Sequence, residues 1–201
     1  MWNSTQSAQL SAFQNIKETN VHLGAALRVG DGKGKGVNDT PTGWFGKIWK
    51  TTDGGDSWTS VYQTNTDTDF YYFNQISCSS ASHCVAVAEG EAADGSNLVV
   101  AFTTTDGGST WNKVLSSGDY SSIMACKMVN ENEVWLAPLK TGRGVFETDF
   151  LYSSDGGQTF ELNQALSNCY STDMDADSSG QLTLSTCLNA AGTQSTVAWY
   201  Q

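Results

Sequence analysis

Eight residues recur three times in this chain, as "TTDGGDSW" at Thr51 to Trp58, "TTDGGSTW" at Thr104 to Trp111 and "SSDGGQTF" at Ser153 to Phe160. Each letter has a use in a tight turn. The Asp side chain accepts hydrogen bonds from backbone N–H groups that follow it, the paired glycines take the positive φ that other residues resist, and the aromatic folds back over the hairpin. A turn alone buries almost nothing, so each copy must close something larger. Asp53, Asp106 and Asp155 stand 53 and then 49 residues apart, which is the length of one four-stranded propeller blade.

The repetition extends upstream of the turns. "KIWK", "VVAFT" and "DFLYS" precede the three copies; "HCVAVAEG" and "NEVWLAPL" lie before the second and third, and "YFNQIS" and "YSSIMA" before those. One unit therefore reads strand, turn, strand, connection, strand, Asp-containing hairpin, strand. "FQNIKETNVHLGAALRVGDG" aligns with "FNQISCSSASHCVAVAEG", and "STDMDADSSGQLTLSTC" with "SSIMACKMVNENEVWLA". The expected fold is all-β, a propeller of four-stranded antiparallel blades with four blade-like units, approximately 1–57, 58–110, 111–159 and 160–201. Trp2 stands where the aromatic of a turn should stand, and "TVAWYQ" matches the strand leading into one. The expectation is thus one part of a larger propeller, or self-assembly in which another chain or segment completes the split hairpin; a small ring closing Trp2 against Trp199 is the alternative.

Twenty glycines against two prolines, with seven tryptophans, suit short strands joined by tight turns and anchored by aromatics. Ten Lys and Arg against 21 Asp and Glu give a formal charge of -11, and no basic run exists to neutralise phosphates, so nucleic acid is not an expected partner. No apolar run is long enough to span a bilayer, and "MWNSTQSAQL" lacks the charged and apolar regions of a signal peptide. Five cysteines leave one over after two pairs. Cys78 and Cys84 flank the short loop "SSASH" and suit a hairpin staple; Cys169 and Cys187 are the expected second bridge, across the last hairpin, leaving Cys126 free or paired outside the chain. Disulfides point to an oxidising, extracellular location whose signal would lie outside this chain. Asn3 in "NST" and Asn38 in "NDT" are candidate glycan acceptors.

The pattern S/T-x-D-G-G-x-S/T-W/F, carried by Asp53, Gly54, Gly55 and Trp58, by Asp106, Gly107, Gly108 and Trp111, and by Asp155, Gly156, Gly157 and Phe160, resembles the Asp-box or bacterial neuraminidase repeat. That resemblance implies a β-propeller with the boxes on the outer rim, away from any central site. Its family includes sialidases, xyloglucan-cleaving glycosidases, sortilin-type receptor domains and photosystem II assembly factors, and "ISCSSASHCVAVAEG" leading to "TTTDGGSTW" most resembles extracellular members of the photosystem-factor-like group. Fold does not deliver function in such a family.

A sialidase, as the resemblance implies, needs three arginines for its substrate's carboxylate, and the chain has two, Arg28 and Arg143. The xyloglucan-type enzymes use paired carboxylates across a cleft; Asp67, Asp69, Glu89, Glu91, Glu147 and Asp149 stand at loops or strand ends where such groups belong, although acids in solvated loops are the ordinary condition of so negative a protein. Tyr71 and Tyr72 in "DFYYFNQ" either line a sugar groove or pack alternately between blades. Asp173, Asp175 and Asp177 in "DMDADSSG" have the look of a calcium loop without its sixth-position glycine or closing glutamate; the simpler account is a strand with Met174 and Ala176 inward and the aspartates outward. The glycine-rich stretch 30–43 does not read as a phosphate cradle, and His22 and His83 have no nucleophile at a recognised spacing. The resulting expectation is a non-catalytic, extracellular binding or structural module with a protein or glycan partner and no cofactor; the alternative is a xyloglucanase-like glycoside hydrolase with an incomplete site in this chain.

Overall fold

The computed structural model describes residues 9–13, 22–28, 45–53, 55–64, 69–140, 146–177 and 182–200. Among them the chain is all-β, in fifteen strands and four antiparallel sheets. The first sheet comprises β1 (Gln9–Phe13), β2 (His22–Arg28), β3 (Phe45–Thr51) and β4 (Thr59–Gln63). The second holds β5 (Asp69–Cys78), β6 (Cys84–Ala92), β7 (Asn97–Thr104) and β8 (Asn112–Ser117), and the third β9 (Tyr120–Met128), β10 (Val134–Lys140), β11 (Glu147–Ser153) and β12 (Glu161–Ser167). β13 (Tyr170–Ala176), β14 (Leu182–Leu188) and β15 (Gln194–Tyr200) make the fourth. Each sheet is a meander in chain order, as short connections dictate. Each of the three DGG turns joins the third strand of a sheet to its fourth.

The core lies between sheets, in three layers. Ile48, Tyr71, Phe73 and Phe102 fill the space between the first and second sheets. Val85, Val87, Val99 and Ala101 meet Ile123, Met128, Leu136 and Leu151 between the second and third. Trp135, Phe150, Cys169, Met174 and Cys187, with Trp199 at the edge, join the third and fourth. The central strands β6, β7 and β10 are buried on both faces, which explains their near-continuous apolar runs. The Cys78–Cys84 and Cys169–Cys187 disulfides are both formed, while Cys126 is a buried free thiol whose ionisation burial pushes far up.

Two irregularities recur that hydrophobic patterning does not announce. The first strand of every sheet carries an extra residue against its partner, between Leu10 and Phe13, Phe73 and Gln75, Ile123 and Cys126, and Ser171 and Asp173, and β9 carries a second between Tyr120 and Ser122. The fourth strands β4, β8 and β12 carry another, near Val61, Val114 and Asn163. Such bulges increase local twist and blunt the edges on which strands would otherwise add. Pro138 sits opposite the bulge of β9 between Ile123 and Cys126, where a missing N–H does not break the ladder.

The open edge of β9 is closed by side chains of the sheet before it. Met128 N donates to Ser77 Oγ at 2.9 Å, Cys126 N to Gln75 Oε1 at 2.6 Å, and Ile123 N to Glu89 Oε2 at 2.7 Å. Thr148 serves β13 in a related way, donating to Cys169 O and accepting from Ser171 N. Buried backbone groups at a sheet edge need such partners, and here they also fix neighbouring sheets in register.

Candidate functional site

The strand directions divide the molecule into two ends, and the DGG turns occupy one. Their hydrogen bonds repeat with little change. Asp53 Oδ1 accepts from Ser57 N, Asp106 Oδ1 from Thr110 N and Asp155 Oδ1 from Thr159 N, at 2.9, 2.8 and 2.9 Å. The second carboxylate oxygen accepts from the Ser57, Thr110 or Thr159 hydroxyl. These bonds to the charged form hold the carboxylates below their usual range: the Ser57 hydroxyl is the main cause at Asp53, the Thr110 amide at Asp106, which is held at about 2, and the Thr159 hydroxyl at Asp155. The residue that opens each copy was not singled out by sequence reasoning. Thr51, Thr104 and Ser153 each donate to the aspartate and accept from the second glycine's N–H at 2.9 Å; that position is Ser or Thr in all three copies, which was the available signal. Trp58 Nε1 donates to Gly55 O, folding the ring back as expected.

The second and third turns dock on the loop between the first two strands of their own sheet. Gly107 N donates to Ser82 O at 3.0 Å and Gly156 N to Asn132 O at 2.7 Å. His83 sits in the first of these loops, with Nδ1 3.1 Å from Ser82 Oγ and 3.6 Å from Glu131 Oε1. Serine and carboxylate share one ring nitrogen, so this is not a nucleophile–base–orienter relay.

At the opposite end, polar side chains of three sheets converge. Glu89, near the end of β6, accepts from Tyr72 Oη at 2.8 Å, from the Ser122 hydroxyl and from Ile123 N. Ser122 Oγ in turn lies 2.8 Å from Tyr170 Oη. With Ser122 donating to Glu89, Tyr170 donates to Ser122, and a chain of hydroxyls runs from the fourth sheet to a carboxylate of the second. Beside it, Tyr120 donates to Asp149 Oδ2 at 3.1 Å. Lys140 Nζ lies 3.1 Å from Glu147 and 3.0 Å from Asp149 Oδ1; the second contact is not aligned as a hydrogen bond, so it is Coulombic. Burial first, and then the charge of Glu89 or Asp149, pushes the Tyr72 and Tyr120 phenols well above their ordinary range. Burial also raises Tyr170. Asp149, then Glu147, raise the Lys140 ammonium. Phe146 covers one flank, its ring 5.5 Å from that of Tyr170.

Of the acids named from sequence, Glu147 and Asp149 therefore meet at Lys140 and Glu89 belongs to a separate network at the same end, with Glu91 exposed farther out along β6. Asp67 and the Asp69 side chain lie outside the described residues, as do Gly54, Asn3, Asn38, Trp2, Arg143 and the side chains of His22 and Arg28. Tyr71 and Tyr72 part company: Tyr71 is buried in the first core layer and Tyr72 enters the polar cluster. Along β13, Met174 is buried while Asp173 accepts from Gln75 Nε2 and Asp175 pairs with Lys127 at 2.6 Å. Among the described residues no group of three His, Cys, Asp or Glu side chains is placed to hold a metal ion. Trp199 packs against Trp135 and Phe150.

No family model matches this chain, and no curated protein matches it. Solved structures do. A structure of YCF48 bound to D1 peptide is 16% identical with a TM-score of 0.52, over 75% of this chain and 44% of that one. The GH74 enzyme of Niastella koreensis is 16% identical, TM-score 0.54, over 93% and 30%. A mutant α-L-arabinofuranosidase of Fusarium graminearum, in complex with an iminosugar inhibitor, is 11% identical, TM-score 0.52, over 90% and 58%. The chain spans less than two thirds of each of these proteins. At such identities the likeness is one of fold, the β-propeller, and that fold serves non-catalytic proteins and glycoside hydrolases alike.

Proposed function

We propose that this chain is an Asp-box (BNR-repeat) propeller that works as a secreted, non-catalytic binding module, taking a protein or glycan ligand at the end opposite the DGG turns. One observation carries the reading. The two acids best placed for chemistry are committed to structure: Glu89 is saturated by Tyr72, Ser122 and the Ile123 amide, and Asp149, 4% exposed, is held between Tyr120 and Lys140. A general acid or base must instead be within reach of a substrate proton, whereas Glu89 already accepts three hydrogen bonds and Asp149 is closed off from solvent. What these anchored groups offer is a fixed rim of phenols around fixed charge, which suits recognition. The two disulfides support an extracellular location.

The test is turnover against binding. Xyloglucan and arabinan oligosaccharides incubated with the protein should release no reducing ends above the buffer blank, while signal on glycan or peptide arrays should fall in Tyr72→Phe and Tyr170→Phe variants. Hydrolysis abolished by Glu89→Gln or Asp149→Asn would overturn the proposal in favour of a glycoside hydrolase.

A further inference from the structure

After Asn–Gly, which this chain lacks, Asp–Gly is the dipeptide most prone to rearrange through a cyclic imide, because the glycine leaves the attacking nitrogen unshielded. It occurs in this chain at Asp31, Asp53, Asp94, Asp106 and Asp155. Asp31, Gly32 and Gly54 lie outside the described residues, leaving three bonds to compare. Asp106–Gly107 and Asp155–Gly156 are held from several sides. Both carboxylate oxygens of each aspartate are bonded. The glycine nitrogens donate to carbonyls of a separate loop, Ser82 O and Asn132 O. A Cβ at either glycine would come within 3.0 Å of Ala81 O or 2.9 Å of Glu131 O, so the backbone cannot swing without undocking that loop.

Asp94–Gly95 has the same chemistry in a different setting. It forms the tip of the β6–β7 hairpin, with residues 93 to 97 all exposed. Its hydrogen bonds stay within the turn: Gly95 N donates to Ala92 O, and Asp94 Oδ1 accepts from Ser96 N and Oγ. Nothing lies within 4 Å of a Cβ built on Gly95. Opening this tip breaks only local contacts, and local opening sets the population able to react.

We propose that, of these three bonds, Asp94–Gly95 is the site of isoaspartate formation in the folded protein. Gly95 N attacks Cγ of the protonated Asp94 carboxyl; the new N–Cγ bond closes a succinimide as the Cγ–OH bond breaks, and that hydroxyl leaves with the amide proton as water. Water then opens the ring at either carbonyl. Opening at the α-carbonyl routes the backbone through Cβ and Cγ, giving isoaspartate, whose free α-carboxylate accepts a methyl group from S-adenosylmethionine. No electrons are exchanged. The inference is independent of the binding role proposed above.

The native protein, aged in near-neutral buffer at body temperature, should be digested and its Asp–Gly peptides resolved by electron-transfer fragmentation, with methyl transfer by an isoaspartyl methyltransferase as a second readout. Isoaspartate at Asp94 should exceed that at Asp106 or Asp155 by on the order of tenfold, and the three should converge in denaturant. Asp94→Glu should remove the native signal without moving the unfolding midpoint. Equal accumulation at the three sites in the native state, or none at Asp94 once the denatured control has formed it, would overturn the proposal.

Discussion

The two ends of the molecule are built on opposite plans. At the turn end, three sheets repeat one hydrogen-bond set, with Ser and Thr exchanging freely where only a hydroxyl is needed. At the other end each of three sheets supplies a tyrosine from its first strand, Tyr72, Tyr120 and Tyr170, but the groups these meet differ: Glu89 in the second sheet, Asp149 beside Lys140 and Glu147 in the third, and for Tyr170 of the fourth the Ser122 hydroxyl of its neighbour. Repetition marks what every sheet requires in order to form. What a fold does not require of each unit is free to differ, and sites grafted on repeated scaffolds are found there.

The comparison breaks most visibly at glycine. Gly95 and Gly156 have nearly the same backbone, φ of 81° and 75°, so alanine meets similar left-handed strain at both, about 1 kcal/mol. Only Gly156 adds a backbone clash, with Glu131 O. Gly156→Ala should therefore destabilise by about 3 kcal/mol and Gly95→Ala by about 1 kcal/mol, read by denaturant unfolding; equal losses would mean that the turn's docking contributes nothing. The disulfides come next. Loop-closure entropy gives about 3 kcal/mol for Cys169–Cys187 and about 2 kcal/mol for Cys78–Cys84, whose sequence separations are 18 and 6. Replacing the shorter pair by serine should leave the turn-end loop in place, because the third sheet forms the matching bond, Val129 N to Glu133 O, with no disulfide, just as Ser79 N bonds His83 O in the second. At the opposite end Tyr170→Phe removes one hydroxyl from a shared network and should cost about 1 kcal/mol, while lowering array binding. A loss of binding at Thr110→Val instead would reverse the assignment of roles to the two ends.

Much of the architecture was legible because it is periodic. Turn residues at a fixed spacing gave the strand order, and the six-residue interval between Cys78 and Cys84 was legible as a staple because those two residues are direct partners across β5 and β6. The bulges were not legible: Asn74 and Val114 are extra residues only by reference to a partner strand, and a single strand's alternation does not specify its register. The polar cluster was half visible. Acids at strand ends could be named, but Ser122 and Tyr170, 48 residues apart, meet because their sheets are neighbours, and no local pattern distinguishes a tyrosine in such a chain from one in a core. "DFYYFNQ" holds both kinds side by side, since alternate residues of a strand face different layers.

The smallest expected effect separates the ends by pH. Asp106 sits at about 2 in the fold against 3.8 ordinarily, and Asp53 and Asp155 are lowered in the same direction. Their stabilisation is complete above the ordinary value and is lost as pH falls through the folded one. Lys140 is raised above 10.5, and Tyr72, Tyr120 and Tyr170 above 10.0; stability from these groups is complete below those values and declines as pH rises past them. Acid should therefore loosen the turn end and alkali the opposite end. Thermal unfolding across pH should show two arms, the acid one flattened by Asp106→Asn and the alkaline one by Lys140→Met. The turn aspartates are lowered by hydrogen bonds from uncharged hydroxyls and amides, whereas the charges of Asp149 and Glu147 act on Lys140, so added salt should shrink the alkaline arm more than the acid arm. Should Asp106→Asn flatten the alkaline arm as well, the two ends would be energetically coupled through the sheets, and the division between a repeated scaffold and an independent site would fail.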